Sequence, residues 1–127
     1  MTSLIANEAP EFILDAVYPN GETGKFSLRE QRGRYVALLF YPMDFSSVCP
    51  SEILEFHAKS GEFEKRGCVL AGISVDSVCA HVAWRACGPD RNGVGPISFP
   101  LLSDPRRIVS RVYGILHDDA VALRGLF

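Results

Sequence analysis

Arg34-Tyr-Val-Ala-Leu-Leu-Phe-Tyr-Pro-Met-Asp-Phe-Ser-Ser-Val-Cys-Pro-Ser-Glu-Ile-Leu-Glu-Phe56 is the stretch from which the fold can be read. Residues 35–41 form an unbroken apolar and aromatic run that Pro42 ends. A run of that length without polar alternation predicts a central strand buried on both faces. Pro42 has no N–H to give a ladder, so a loop begins there. Ser46 and Ser47 suit an N-cap, and Pro50 is tolerated only in a first helical turn. A helix is therefore expected from about Val48, with Ile53, Phe56 and Phe63 on its apolar stripe. Cys49 falls in its first turn, at the carboxyl end of a central strand, where open α/β sheets place their chemistry.

A free thiol titrates near pH ~8.5, and only its thiolate is a good nucleophile. Lowering that value by two units takes roughly 2.7 kcal/mol in favour of the charged form. A helix N-terminus supplies about 0.3–1 kcal/mol, and up to ~2 when partly buried. A reactive Cys49 thus needs a cation nearby; without one it is a small buried hydrophobe.

Outward from this stretch the chain alternates strands and helices. Residues 1–10 form an arm, and Phe12 and Ile13 begin an edge strand. Residues 16–26 read as a hairpin turned by Pro19-Asn20-Gly21. Ser27 is expected to cap a short helix over 28–32, closed by Gly33. The helix of Cys49 should run to Gly67, and 68–75 make a second buried strand, implying a parallel βαβ unit. Asp76 or Ser77 caps a helix through Trp84, and a Gly- and Pro-rich loop covers 87–97. A short strand over 99–102, a helix opened by Asp104-Pro105 and ended by Gly114, and a last strand over 120–127 complete the chain. Arg124 is the one charge in that last strand, and read alone it points to water as an edge-strand cation does.

The 127 residues are expected to make one domain, 1–127, with a real core. A net charge of −2 and scattered basic residues give no reason to expect nucleic acid or an acidic membrane surface. The Lys65-Arg66 and Arg106-Arg107 pairs read as solvated helix faces. No apolar run has the ~20 residues of a membrane span, and the N-terminus lacks the features of a signal peptide. Cys49, Cys68, Cys79 and Cys87 form no Cys-x-x-Cys pair, which favours reduced thiols in a cytoplasmic protein. Cys79, His81 and Cys87 lack the spacing of a metal site, and His57 and His117 read as surface residues.

Pro42-Met43-Asp44-Phe45-Ser46-Ser47-Val48-Cys49 resembles the Pro-x-x-x-Thr/Ser-x-x-Cys signature of peroxiredoxins. The wider 40–45 and 48–53 segments are similar to the typical 2-Cys group, which includes the bacterial alkyl hydroperoxide reductases. Val75-Asp76-Ser77 with His81 and Trp84, then 99–104 and Tyr113-Gly114, extend the resemblance over nearly the whole chain. It implies an α/β thioredoxin-like fold with an N-terminal β-hairpin extension and a central mixed sheet flanked by helices. It also implies a thiol-dependent peroxidase for hydrogen peroxide and alkyl hydroperoxides, in which Cys49 becomes a sulfenic acid.

By the same resemblance Arg124, in Arg-Gly-Leu-Phe, would hold the Cys49 thiolate and the peroxide oxygens. Ser46 would hydrogen-bond both, Pro42 would shield the thiolate from water, and Glu52 would orient an arginine. Ser46 also reads as a plain helix cap, and Glu52 as a first-turn acid favoured by the helix dipole. His81 reads as a packing or hydrogen-bonding residue rather than a base. No metal or organic cofactor is implied. The implied partners are the peroxide, a dithiol reductant protein such as thioredoxin, and further copies of the chain, joined near Phe45 and Trp84. Arg91-Asn92-Gly93-Val94-Gly95-Pro96 only approximates the family's Gly-Gly-Leu-Gly motif. The sequence stops inside a strand, so the C-terminal resolving-cysteine segment is expected to be truncated. A redox-sensing or chaperone-like holdase of thioredoxin fold is the alternative in another class.

Overall fold

A computed structural model describes residues 4–46 and 49–127, with Cys49 as backbone only. The apolar run around Leu38 becomes strand β3 (Tyr35–Phe40), the fifth strand across a six-stranded sheet. The other strands of that sheet are β1 (Ile13–Val17), β2 (Thr23–Ser27), β4 (Cys68–Ser74), β5 (Leu101–Ser103) and β8 (Gly125–Leu126), in the order β2-β1-β5-β4-β3-β8. β3, β4 and β5 run parallel, while β1, β2 and β8 are antiparallel to their neighbours. β6 (Leu116–His117) and β7 (Val121–Ala122) form a separate small ladder. The helices are α1 (Cys49–Ala58), α2 (Ser60–Lys65), α3 (Val78–Ala86) and α4 (Ile108–Val112).

Successive residues of a strand point to opposite faces, and β3 fills both. Leu38 and Phe40 join Phe12, Phe26, Ile73, Leu102, Val109 and Tyr113 on one side of the sheet. Leu39 and Tyr41 join Ile53, Leu70, Trp84, Phe99 and Leu101 on the other. The expectation of a strand buried on both faces holds from Leu38 onward. Tyr35, at the opposite end, is 78% exposed.

Several local expectations are corrected. β1 is internal, between β2 and β5, so the edge belongs to β2. Ser27 ends β2 rather than capping a helix, and the turn after it is a 3-10 segment, Arg29–Gln31, with no side-chain cap. The long helix expected up to Gly67 breaks at Lys59 into α1 and α2. Arg107 adopts left-handed φ 61 before α4, and its guanidinium donates to the carbonyls of Ala120 and Pro105, so it is no solvated helix face. Asp104 caps α4 from a distance, its carboxylate accepting from the Val109 and Ser110 amides and the Ser110 hydroxyl. His57 is half-buried, and its Nδ1 accepts the Ser98 amide at 3.1 Å. Cys68 is half-exposed at the start of β4 rather than buried. Ser77 does cap α3, accepting the Ala80 amide.

Tyr113 ties the N-terminal arm to the core. Its ring packs edge-on against Phe12 and Phe127, and its hydroxyl donates to the Pro10 carbonyl at 2.7 Å. Burial pushes its pKa from 10.0 up to about 12. A raised folded value means that the stabilisation is complete below the unfolded pKa and is lost as pH climbs from 10.0 toward about 12. Tyr113→Phe should cost about 1 kcal/mol at neutral pH, from the lost hydrogen bond. It should also flatten the alkaline fall in stability. Urea unfolding across that pH window checks both, and equal alkaline slopes would refute the ionisation argument.

Candidate active site

The carboxyl ends of the parallel strands define one rim of the sheet, and the 42–46 loop leaves β3 there. Pro42 follows the buried Tyr41 and is half-buried, as is Ser46. Ser47 and Val48 lie outside the described residues, and Cys49 opens α1. The expected cap by Ser47 and helix start at Val48 therefore fall outside what is described.

The last segment reaches the same rim by switching partners. Ala122 pairs with Leu116 in β6, and the Leu123 amide still bonds the Ile115 carbonyl. Two residues later Gly125 pairs with Phe40 and Leu126 with Leu39. A single uniform strand over 120–127 is thus corrected to two short ones flanking Leu123 and Arg124. Gly125 permits the switch, because a Cβ there would lie 2.1 Å from Ile115 Cδ1. The antiparallel register brings Arg124 to the carboxyl end of β3. There its Nε donates to Glu52 Oε1 at 2.5 Å, an ion pair spanning 72 residues of sequence.

Glu52 stands one helical turn after Cys49, so this pair fixes the guanidinium at the first turn of α1. The two side chains are 44% and 29% exposed, so the pair contributes at most about 1 kcal/mol to stability. Its consequence is orientation: a planar fork held at Nε has a set direction for its other N–H groups.

Beneath the loop lies a buried polar network that the sequence did not announce as such. Asp44, 6% exposed, accepts the Tyr41 hydroxyl at Oδ1 and faces His81 Nδ1 at Oδ2, each at 2.7 Å. The other ring nitrogen of His81 donates to the Leu102 carbonyl at 2.8 Å. The Asp44 amide donates to the Asp76 carboxylate, which also accepts the Ser74 hydroxyl. Burial pushes the Asp44 carboxyl up, against the opposing hydrogen bond of His81, and pushes the Tyr41 phenol well up. His81 is a hydrogen-bonding histidine, as read. Asp44 was legible only as a charge lodged between apolar neighbours in the loop.

Among the described residues, Asp44, Asp76 and His81 are the grouping whose ligand atoms come within metal-binding reach of one another. His81 Nδ1 and Asp44 Oδ2 already engage each other, and the Asp76 carboxylate accepts the Asp44 amide and the Ser74 hydroxyl, so the donor set serves the fold. Cys79, His81 and Cys87 form no such grouping. No described helix is long and apolar enough to cross a membrane.

The architecture is mirrored in solved proteins. The reduced 2-Cys peroxiredoxin of Plasmodium vivax matches with a TM-score of 0.97 at 38% identity, covering 98% of this chain and 65% of that one. Mycobacterium bovis AhpC matches with a TM-score of 0.84 at 33% identity, covering 95% of this chain and 72% of that one. The fold is therefore the thioredoxin-like fold in its peroxiredoxin form, a mixed sheet flanked by helices. The chain belongs to the AhpC/TSA family, whose model matches residues 5–127. Peroxiredoxin-1 of Gallus gallus is 40% identical over 126 residues, 98% of this chain and 63% of the relative. A thioredoxin peroxidase of Echinococcus granulosus is 43% identical over 128 residues, 100% of this chain and 66% of the relative. The chain thus spans slightly under two thirds of these curated relatives.

Proposed function

We propose that this chain is a thiol peroxidase with Cys49 as its peroxidatic residue. The Cys49 thiolate sulfur attacks the nearer peroxide oxygen, the O–O bond breaks, and the departing oxygen takes up a proton as water or an alcohol. The sulfur is oxidised to the sulfenic acid and the peroxide is reduced. A second thiol then condenses with the sulfenic acid, releasing water and leaving a disulfide that an external dithiol protein reduces. Arg124 stabilises the thiolate and the charge that develops on the leaving oxygen. Ser46 hydrogen-bonds the reacting atoms, Pro42 keeps water from the sulfur, and Glu52 orients Arg124. The observation that carries this reading is the Arg124–Glu52 pair, which sets a cation on the helical turn that Cys49 begins.

A cytoplasmic location, a thioredoxin-like reductant and self-association belong to the same proposal. Exposed Met43, Phe45 and Val82 support association near the site loop and α3. The expected Trp84 contact would act from beneath, since Trp84 is fully buried against Tyr41 and Phe45 within its own chain.

Exposure gives a sharp control. Cys79 is exposed while Cys68 and Cys87 are half-buried, so oxidation governed by access alone labels Cys79 first. Peroxide with a sulfenate trap, read by mass spectrometry, is expected to label Cys49 well ahead of the other three, and Cys49→Ser should abolish peroxide consumption. Labelling led by Cys79, with consumption intact in Cys49→Ser, would sink the reading in favour of a redox-sensing or holdase protein.

A further inference from the structure

We propose that the end of the sheet opposite Cys49 carries a binding site for a small apolar carboxylate, an alkyl or aryl monoacid. The body of this ligand fills a cavity beside α2, and its carboxylate meets Arg34 and Arg66. The site shares no residue with the catalytic groups proposed above and does not depend on the peroxidase chemistry.

Parallel register builds the floor of the cavity. Tyr35 and Cys68 open β3 and β4 and are direct register partners, so their side chains project from the same face of the sheet. Farther along, that face carries Leu39 and Leu70 into the second core. α2 covers this end with only six residues, and its Phe63 packs on the core beside Phe56, with ring centroids 5.9 Å apart. Between Phe63 and the strand ends a cavity of about 490 Å³ remains, lined by Tyr35, Glu62, Phe63, Arg66 and Cys68. Tyr35 therefore keeps 78% exposure, and Cys68 stays half-exposed.

Positive charge lies beside the cavity. Tyr35 and Arg66 also border an adjoining cleft with Gly33, Arg34 and Gly67. A Cβ at either glycine would meet nothing within 4 Å, so this cleft is open. Arg66 donates through Nη1 to the carbonyl and carboxylate of Glu62, which answers the one acid of the cavity. Arg34 donates to the uncharged Gln31 side chain at 2.6 Å. The carboxylates nearby are paired elsewhere, Glu8 and Glu11 with Arg29 and Arg32, and Glu62 with Lys65 and Arg66. Glu64 shares a further cleft with Arg34, yet among the described residues no carboxylate comes within ion-pair distance of that guanidinium.

These features select the occupant. A cavity of this size, walled by two aromatic rings and a thiol, suits a compact apolar body. Over cavity and cleft together, two guanidiniums face one carboxylate, which leaves one positive charge for an anion. A carboxylate matches the paired N–H groups of a guanidinium. An apolar monoacid brings both features from adjacent parts of one molecule. An alcohol of the same chain offers the body without the charge, and inorganic phosphate the charge without the body.

Cys68 reports occupancy, because it lines the cavity while Cys79 is exposed on α3, outside it. Decanoate, kept below micelle formation, should slow iodoacetamide alkylation of Cys68 severalfold at saturation and leave Cys79 unchanged, read peptide by peptide by mass spectrometry. Decanol should protect far less, and inorganic phosphate not at all. Arg34→Gln should raise the decanoate concentration needed by about tenfold, as expected for the loss of a charge-assisted bond. Arg34 is exposed, so its replacement should leave the fold intact. Phe63→Ala should abolish the protection; if it fails to fold, Arg34→Gln decides alone. Amide chemical shifts of residues 33–35 and 63–68 give a second reading and should move with decanoate. Equal protection by decanol, an unchanged decanoate dependence in Arg34→Gln, or neither protection nor shifts overturns the proposal.

Discussion

Arg124→Ala is expected to slow Cys49 sulfenylation by more than tenfold and to raise the pH at which Cys49 becomes a thiolate. The estimate rests on charge-assisted hydrogen bonds, which contribute roughly 1.5–3 kcal/mol, or about one to two factors of ten. The helix N-terminus alone falls short of what a neutral-pH thiolate requires, so the shortfall should appear in both measurements together. Arg124→Lys should recover only part of the rate, because an ammonium cannot donate through a planar fork while also bonding Glu52. Glu52→Gln separates orientation from charge: it keeps an acceptor for the Arg124 Nε and removes the ionic attraction. A modest effect is expected from it. Folding should be little changed in all three, since the pair is partly exposed and contributes at most about 1 kcal/mol. A thiolate titration unmoved by Arg124→Ala would return this side chain to the role of a solvent-facing edge cation.

Trp84→Ala should be the most destabilising single substitution of the α3 face, at about 3–5 kcal/mol. Trp84 is fully buried, stacks on Tyr41 with ring centroids 5.5 Å apart, and donates its indole N–H to the Asn92 carbonyl at 2.7 Å. Truncation opens a cavity beneath the site loop, removes the support under Phe45 and strips the Asn92 carbonyl of its donor. A domain of this size has a net stability of ~5–15 kcal/mol, so much of it is at stake. Trp84→Phe fills most of the volume and should lose distinctly less, with the remainder tracing to the lost N–H. Denaturant midpoints of the two variants test this ordering. Equal losses would mean that the hydrogen bond, rather than the packing, dominates.

Much of the architecture lies in local sequence. The alternation of Leu38 and Phe40 against Leu39 and Tyr41 divides β3 between the two cores, and nothing distant is needed to foresee it. The Pro19-Asn20-Gly21 turn, the Ser77 cap and the stop at Pro42 are likewise local, because the dihedral freedom of Gly and Pro and the reach of a short hydroxyl act within a few residues. Cys49 was picked out from its position at a helix start after Pro42 and two serines.

Tertiary structure decided where backbone hydrogen bonds compete between partners far apart in the chain. The last segment reads as one strand, yet it divides because β6 claims its first half and the open edge of β3 claims its second. α1 and α2 separate at Lys59, where neither Gly nor Pro marks a break. Arg124 could have faced water; the register between Phe40 and Gly125 turned it to Glu52 across 72 residues. Asp44 and His81, 37 residues apart, likewise became partners only because the parallel β3-β4-β5 arrangement lays α3 against the site loop. The pattern of apolar residues selects which faces are buried, and sheet register decides which polar groups meet there.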